Sequence, residues 1–224
     1  MANDAMIIAV DRIRFLWPRA KKMTLYAVGI AGDNRGKVLV TEPPSLTTIK
    51  HVPRAARPAV WEFGGDGYPI YQRTGGLPDI VVAHLLIVRS RSRTRRAGEI
   101  VSAVAKSDEA KSVMETASSA LKTAGGLAGA SPLNLVLPVV DLIGRLISGK
   151  KDKVLQTISG SLFLDAARKS QDSFSDTILS ADGNIAVDAD AFLFDAEEDE
   201  DSVAETREAE TQFEADGLLV KAGV

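Results

Sequence analysis

Residues 79–96 read Asp-Ile-Val-Val-Ala-His-Leu-Leu-Ile-Val-Arg-Ser-Arg-Ser-Arg-Thr-Arg-Arg. The first part is the clearest apolar run in the chain, with Ile80, Val82, Leu85, Leu86, Ile87 and Val88. A short run of this kind reads as a central β-strand buried on both faces. The second part alternates arginine with serine or threonine. If the strand continues past Val88, Arg89, Arg91, Arg93 and Arg95 project from one face, with Ser90, Ser92 and Thr94 opposite. Strand residues two apart lie about 7 Å from one another, so these guanidinium groups, with Arg96 beside them, form a linear receptor for anions. The plain alternative is a solvated strand end, because exposed ion pairs contribute little.

Upstream of this stretch the chain reads as strands separated by turns. Ile8 and Val10, then Ile13, Phe15 and Trp17, mark a first strand whose alternation slips once before Pro18 stops it. Thr24–Ala31 and Lys37–Thr41 flank Gly32-Asp33-Asn34-Arg35-Gly36, a hairpin signal because Asn and Gly accept positive φ readily. Pro43, Pro44, Pro53 and Pro58 limit the next stretch to edge strands or short pieces. Val60–Phe63 and Tyr68–Arg73 are further strands around Gly64-Gly65-Asp66-Gly67.

Downstream the period changes. Ile100, Val101, Val104 and Ala105 share a helical face, and Ser107 is placed to cap a second helix carrying Asp108 and Glu109 in its first turn. Ala110, Val113, Met114, Ala117, Ala120, Leu121 and Ala124 continue that helix at helical spacing. From Pro132 to Ser148 one narrow polar stripe, Asn134, Pro138, Asp141, Arg145 and Ser148, runs along an otherwise Leu, Val and Ile helix. The spacing of Asp141 and Arg145 permits an i,i+4 pair, and the two long helices are expected to form an antiparallel hairpin. Apolar faces this wide are usually buried in a core or an interface. β patterning returns after Gly149, with Asp152–Ser159 ambiguous, Ser161–Leu164 a possible strand, and a turn at Asp182-Gly183-Asn184 before Ile185–Phe194.

The net charge of −3 hides a separation along the chain. Residues 1–170 sum to +11, and residues 171–224 to −14. Glu197, Glu198, Asp199, Glu200 and Asp201 form an unbroken acidic block, which makes the chain's own tail a candidate ligand for the arginine row.

The chemistry of reaction is thinly supplied. Cysteine is absent, and only His51 and His84 are present, which excludes thiolate chemistry and disfavours a zinc site. Neither histidine has a triad context, and no G-x-S-x-G elbow occurs. Gly144-Arg-Leu-Ile-Ser-Gly149-Lys150-Lys151 misses a phosphate loop, because Lys151 stands where Ser or Thr must hold magnesium and the glycines end a helix. A helix C-terminus capped at Gly149 is the expectation there. Asp182, Asn184, Asp188 and Asp190 lack the calcium-loop spacing and read as a solvated face.

These readings predict an α+β architecture, an antiparallel β-sandwich loosely like C2 or jelly-roll domains in shape, with an inserted helical hairpin. Residues 1–96 supply the first part of the sandwich, 97–150 the insertion, 151–195 the second part, and 196–224 an acidic tail with a possible closing strand. The expected role is a non-catalytic interaction or assembly subunit, with no cofactor or metal, joined to further copies or a protein partner by its arginine row and acidic block. The alternative is a peripheral membrane protein binding anionic lipid through the arginines and inserting the helix at 132–148, and a third reading is an enzyme whose site is assembled from residues that no motif connects. Negative total charge and the lack of interleaved aromatics count against nucleic acid. The absence of a signal-peptide plan and of glycosylation sequons makes the cytoplasm the default location.

Overall fold

A computed structural model of the chain describes residues 4–16, 22–43, 47–50, 59–65, 67–91, 98–124, 132–194 and 219–220. Its strands pair antiparallel in two sheets. The first sheet runs β5 (Ala59–Glu62), β1 (Ala5–Phe15), β10 (Ile185–Phe194), β9 (Ser173–Leu179), and β6 (Tyr68–Arg73) also pairs with β1. The second runs β11 (Leu219–Val220), β3 (Val38–Thr41), β2 (Lys22–Asp33), β7 (Ile80–Arg89), β8 (Lys153–Phe163), and β4 (Thr47–Lys50) also pairs with β2. Helices α1 (Glu99–Ala105), α2 (Asp108–Ala124) and α3 (Pro132–Gly149) all lie between β7 and β8, which pair with each other. The molecule is therefore the expected sandwich with a helical insertion, and the insertion is the connection of a single β-hairpin. A short α4 (Ala166–Lys169) precedes β9.

Two hydrophobic cores stack on the second sheet. Between the sheets lie Ile8, Val10, Ile13, Leu25, Ala27, Trp61, Tyr71, Leu85, Ile87, Ile158, Val187 and Leu193. On its other side, Tyr26, Val28, Ile30, Val82, Leu86 and Val88 meet the helices. Period-2 alternation sends successive residues of β2 and β7 into different cores, which is why β7 is apolar at nearly every position. Burying each such large side chain contributes about 1.5–3 kcal/mol.

The slip in β1 is a β-bulge. Its register against β10 shifts between Val10 and Arg12, so Val10 and Ile13 both face inward although they are three positions apart. The carbonyl of Asp11, at the bulge, accepts the N–H of Phe63 at 3.0 Å.

Among the helices, Ser107 Oγ accepts the Ala110 N–H at 3.2 Å and caps α2. Ala110, Met114, Ala117 and Leu121 of α2 and Val136, Val139, Ile143 and Ile147 of α3 are buried against the second sheet. The polar stripe of α3 faces solvent. Arg145 near the end of α3 meets Glu109 at the start of α2 at 2.9 Å, which makes the pair antiparallel. Arg145 thus pairs between helices rather than with Asp141. The expected cap at Gly149 is also displaced: α3 runs through Gly149, and Lys151 adopts the left-handed conformation at φ 64°. There the Lys150 and Lys151 N–H groups close on the carbonyls of Ile147 and Ser148. α2 docks over the β2–β3 turn, where the Ser118 hydroxyl donates to the Gly36 carbonyl at 2.5 Å.

Candidate functional site

The arginine stretch begins at the end of β7. The ladder sets Arg89 directly opposite Lys153 of β8, two like charges side by side, an arrangement that disfavours the pairing. Beyond Arg89 the regular strand stops. The Ser90 N–H still bonds the Thr24 carbonyl at 2.9 Å, but the Arg91 N–H is taken by Asp152 Oδ1 at 2.8 Å. Asp152 is buried and also accepts the Tyr26 hydroxyl at 3.1 Å. A carboxylate from the far end of the helical insertion therefore claims the N–H of Arg91 just past the end of the strand. Both Arg89 and Arg91 are exposed. Arg93, Arg95 and Arg96 lie outside the described residues, as does the acidic block Glu197–Asp201.

Asp152 and Lys153 also belong to an open trough of about 900 Å³ between α3 and β8. Leu86, Val140 and Val154 supply its apolar surface, and Asp141, Arg145 and Ser148 from the polar stripe of α3 also line it. Gly144 lies on its wall, where an added Cβ would meet no atom within 4 Å. Nothing in the sequence marked this trough, because it joins residues of the helix and of the following strand whose spacing carries no motif.

The remaining reactive groups are engaged inside the fold. His84 is 1% exposed, with Nδ1 2.7 Å from Ser159 Oγ and Nε2 3.2 Å from the Leu133 carbonyl. An imidazole with Nε2–H donating and Nδ1 accepting satisfies both contacts, and burial holds its pKa below the ordinary histidine value. It ties α3 to the hairpin rather than lying open to a substrate. His51 lies outside the described residues.

Asp33, fully buried, joins the two sheets. One carboxylate oxygen accepts the Arg35 and Lys37 N–H groups at 2.8 and 2.9 Å, closing the β2–β3 turn. The other accepts the Tyr71 hydroxyl at 2.5 Å and the Arg73 guanidinium at 2.6 Å, both from β6 of the opposite sheet. Burial, reinforced by the neighbouring Asp33 carboxylate, pushes the Tyr71 phenol well above its usual pKa. A second bridge sets the Tyr68 hydroxyl 2.8 Å from Thr41 Oγ1 and has it accept the Gly29 N–H at 3.0 Å. Burial raises the pKa of that phenol too. A Cβ on Gly29 would sit 2.6 Å from Thr41 Oγ1, so glycine permits this approach.

No protein-family model matches the chain, and a comparison with curated proteins finds no match.

The acidic candidates on β10 do not converge. Asp188 accepts Arg12 Nε at 2.7 Å, Arg14 Nη2 at 2.6 Å and the Thr177 hydroxyl at 2.7 Å. Burial opposes its ionisation, but the bonds from Arg12, Thr177 and Arg14 prevail and hold its pKa below the usual carboxylate range. Asp182 closes its own turn through Asn184 and Ser180, and these hydrogen bonds lower its pKa as well. Among the described residues no three of His, Asp or Glu are grouped to hold a metal ion.

Proposed function

We propose that the protein is a non-catalytic assembly subunit whose arginine-rich segment, starting at Arg89, engages the acidic block Glu197–Asp201 of a neighbouring copy. The observation that carries this reading is the charge separation, +11 over residues 1–170 against −14 over 171–224. Its structural setting supports it. Arg89 and Arg91 stand exposed at the end of a rigid central strand, and Lys153 raises the positive charge beside them. A carboxylate block brought to this end relieves the Arg89–Lys153 opposition and forms charge-assisted hydrogen bonds with arginine forks. The buried titratable side chains described above serve to join sheets and helices, which favours a scaffold over an enzyme.

The test is mass by light scattering at low salt and at about 1 M, where the screening length falls to about 3 Å. A mass larger at low salt than at high salt, with the excess also lost on converting Glu197–Asp201 to Gln and Asn, supports the proposal. A mass no larger at low salt than at high salt sinks it. The burial of the apolar face of α3 against the second sheet favours assembly over the membrane alternative, and no described helix is long and apolar enough to cross a membrane. Sedimentation with anionic liposomes, lost on replacing Arg89 and Arg91, would restore the arginine half of that alternative.

A further inference from the structure

The second sheet ends on β8, an 11-residue strand with β7 on one side and no strand on the other among the described residues. Open edges present unpaired backbone donors and acceptors, and proteins ordinarily blunt them with lysine, proline or a cover. Here Val154–Leu164 holds no charged residue and no proline, in a chain that is 25% charged. The only irregularity is the bulge at Leu155, where the register passes from Ile87–Gln156 to Val88–Val154, and it leaves Gln156–Phe163 regular. Such an edge is competent to add a strand.

Two further features lie along the same edge. Phe163 is 55% exposed, an unusual state for phenylalanine. Its neighbours at even spacing, Thr157, Ser159 and Ser161, pair with Leu86, His84 and Val82, so all four lie on the helix-covered side of the sheet. At the other end of β8, on that same side, the trough beneath α3 is open and lined by Val154 and Thr157. The aromatic group and the apolar hollow are thus at opposite ends of one strand whose residues after Lys153 are uncharged.

We propose that β8 pairs antiparallel with β8 of a second copy about a two-fold axis at Ser159, continuing the second sheet across the dimer. In this register Thr157 faces Ser161 of the other copy, Gln156 faces Leu162, and Phe163 falls beside the bulge at Leu155, between Val154 and Thr157. Residues opposite one another share a face, so Phe163 of each copy reaches the Val154 and Thr157 end of the other's trough, where Leu86 and Val140 provide apolar contact. The arrangement is self-complementary, as an isologous interface requires, and it opposes no like charges. The occupant is a second copy rather than an unrelated peptide because the edge carries both the aromatic group and the hollow that receives it. This interface is independent of the arginine–tail pairing proposed above, and it holds where salt abolishes that pairing.

The absence of cysteine gives a clean test. Ser159→Cys places two thiols across the axis, and mild oxidation of the full-length chain is expected to convert most of it to a disulfide dimer. The same residue introduced at Ser175, on exposed β9, is expected to leave it single. Light scattering at about 1 M salt should report two copies for the unmodified chain and one for Phe163→Lys or Ser161→Lys, with folding checked through tryptophan fluorescence. A single-copy mass for the unmodified chain at high salt overturns the strand interface. So does a dimer that persists in both lysine variants, or equal crosslinking at Ser159 and Ser175. None of these outcomes bears on the charge pairing, which is read at low salt.

Discussion

Replacing Asp33 by Asn tests how the two sheets are locked together. The native carboxylate is 0% exposed, and the Arg73 side chain beside it is 18% exposed, at 2.6 Å. Asn keeps an oxygen for the Arg35 and Lys37 N–H groups, so the turn retains its closure. What changes is the other oxygen, where an amide replaces the acceptor for Tyr71 and Arg73. Removing one partner of a buried ion pair destabilises by about 3–5 kcal/mol, since the remaining charge stays buried without its counterion. For a chain of this size each kcal/mol shifts Tm by roughly 2–4 °C, so a fall of about 10 °C is expected. Urea unfolding followed by Trp fluorescence gives the free energy directly. The double change Asp33→Asn with Arg73→Met removes both charges, and the coupling should return about 1–3 kcal/mol of the summed single losses. A loss below about 1 kcal/mol for Asp33→Asn, or strict additivity in the double variant, would refute the role given to this cluster.

Other expectations follow from single sites. Burial lowers the pKa of His84 in the folded state from the ordinary value of 6.5, so the unfolded chain gains this proton at a higher pH than the folded chain does. Its contribution to stability is complete above pH 6.5 and is lost as pH falls below it, so the urea midpoint should drop between pH 7 and 5, and His84→Gln should flatten that drop. Asp188 and Asp182, with lowered pKa values, lose their stabilisation only as pH falls below the usual carboxylate value of 3.8. Gly29→Ala should destabilise by about 1–3 kcal/mol through the contacts with Thr41 and Ile70, both under 3 Å. Gly144→Ala, with open space at its Cβ, should stabilise by up to about 1 kcal/mol through helix propensity. Thermal melts of the two variants side by side check both signs.

The parts of the fold legible in the sequence were those where burial imposes a pattern. β7 is packed on both sides, so its apolar run announced a central strand, and the 3.6-residue period of α2 and α3 announced the helices. The β1 bulge showed as a break in alternation because residues on either side of it face the same core. β8 was harder to read, since an edge strand is half solvated and the bulge at Leu155 shifts its phase, leaving Val154–Leu164 a mixture of Ser, Gly, Thr, Leu and Ile. Asp33 looked like a turn residue, which it is, but its contacts with Tyr71 and Arg73 depend on how the sheets stack, and no local pattern encodes that. The alternating arginines implied a longer strand. The N–H of Arg91 instead meets Asp152, a residue distant in sequence that the helical insertion returns to this end of β7. Arg93, Arg95, Arg96 and the acidic block remain defined by sequence alone.

The central claim, pairing of the arginine segment with the acidic block, is tested most directly by exchanging the charges. Arg89, Arg91, Arg93, Arg95 and Arg96 are replaced by Glu in one variant, Glu197–Asp201 by Lys in a second, and both sets in a third, with masses measured at low salt. Each single exchange should abolish salt-sensitive association, and the double exchange should restore it. Salt-sensitive association that survives both single exchanges, or a double exchange that fails to restore it, would contradict the account.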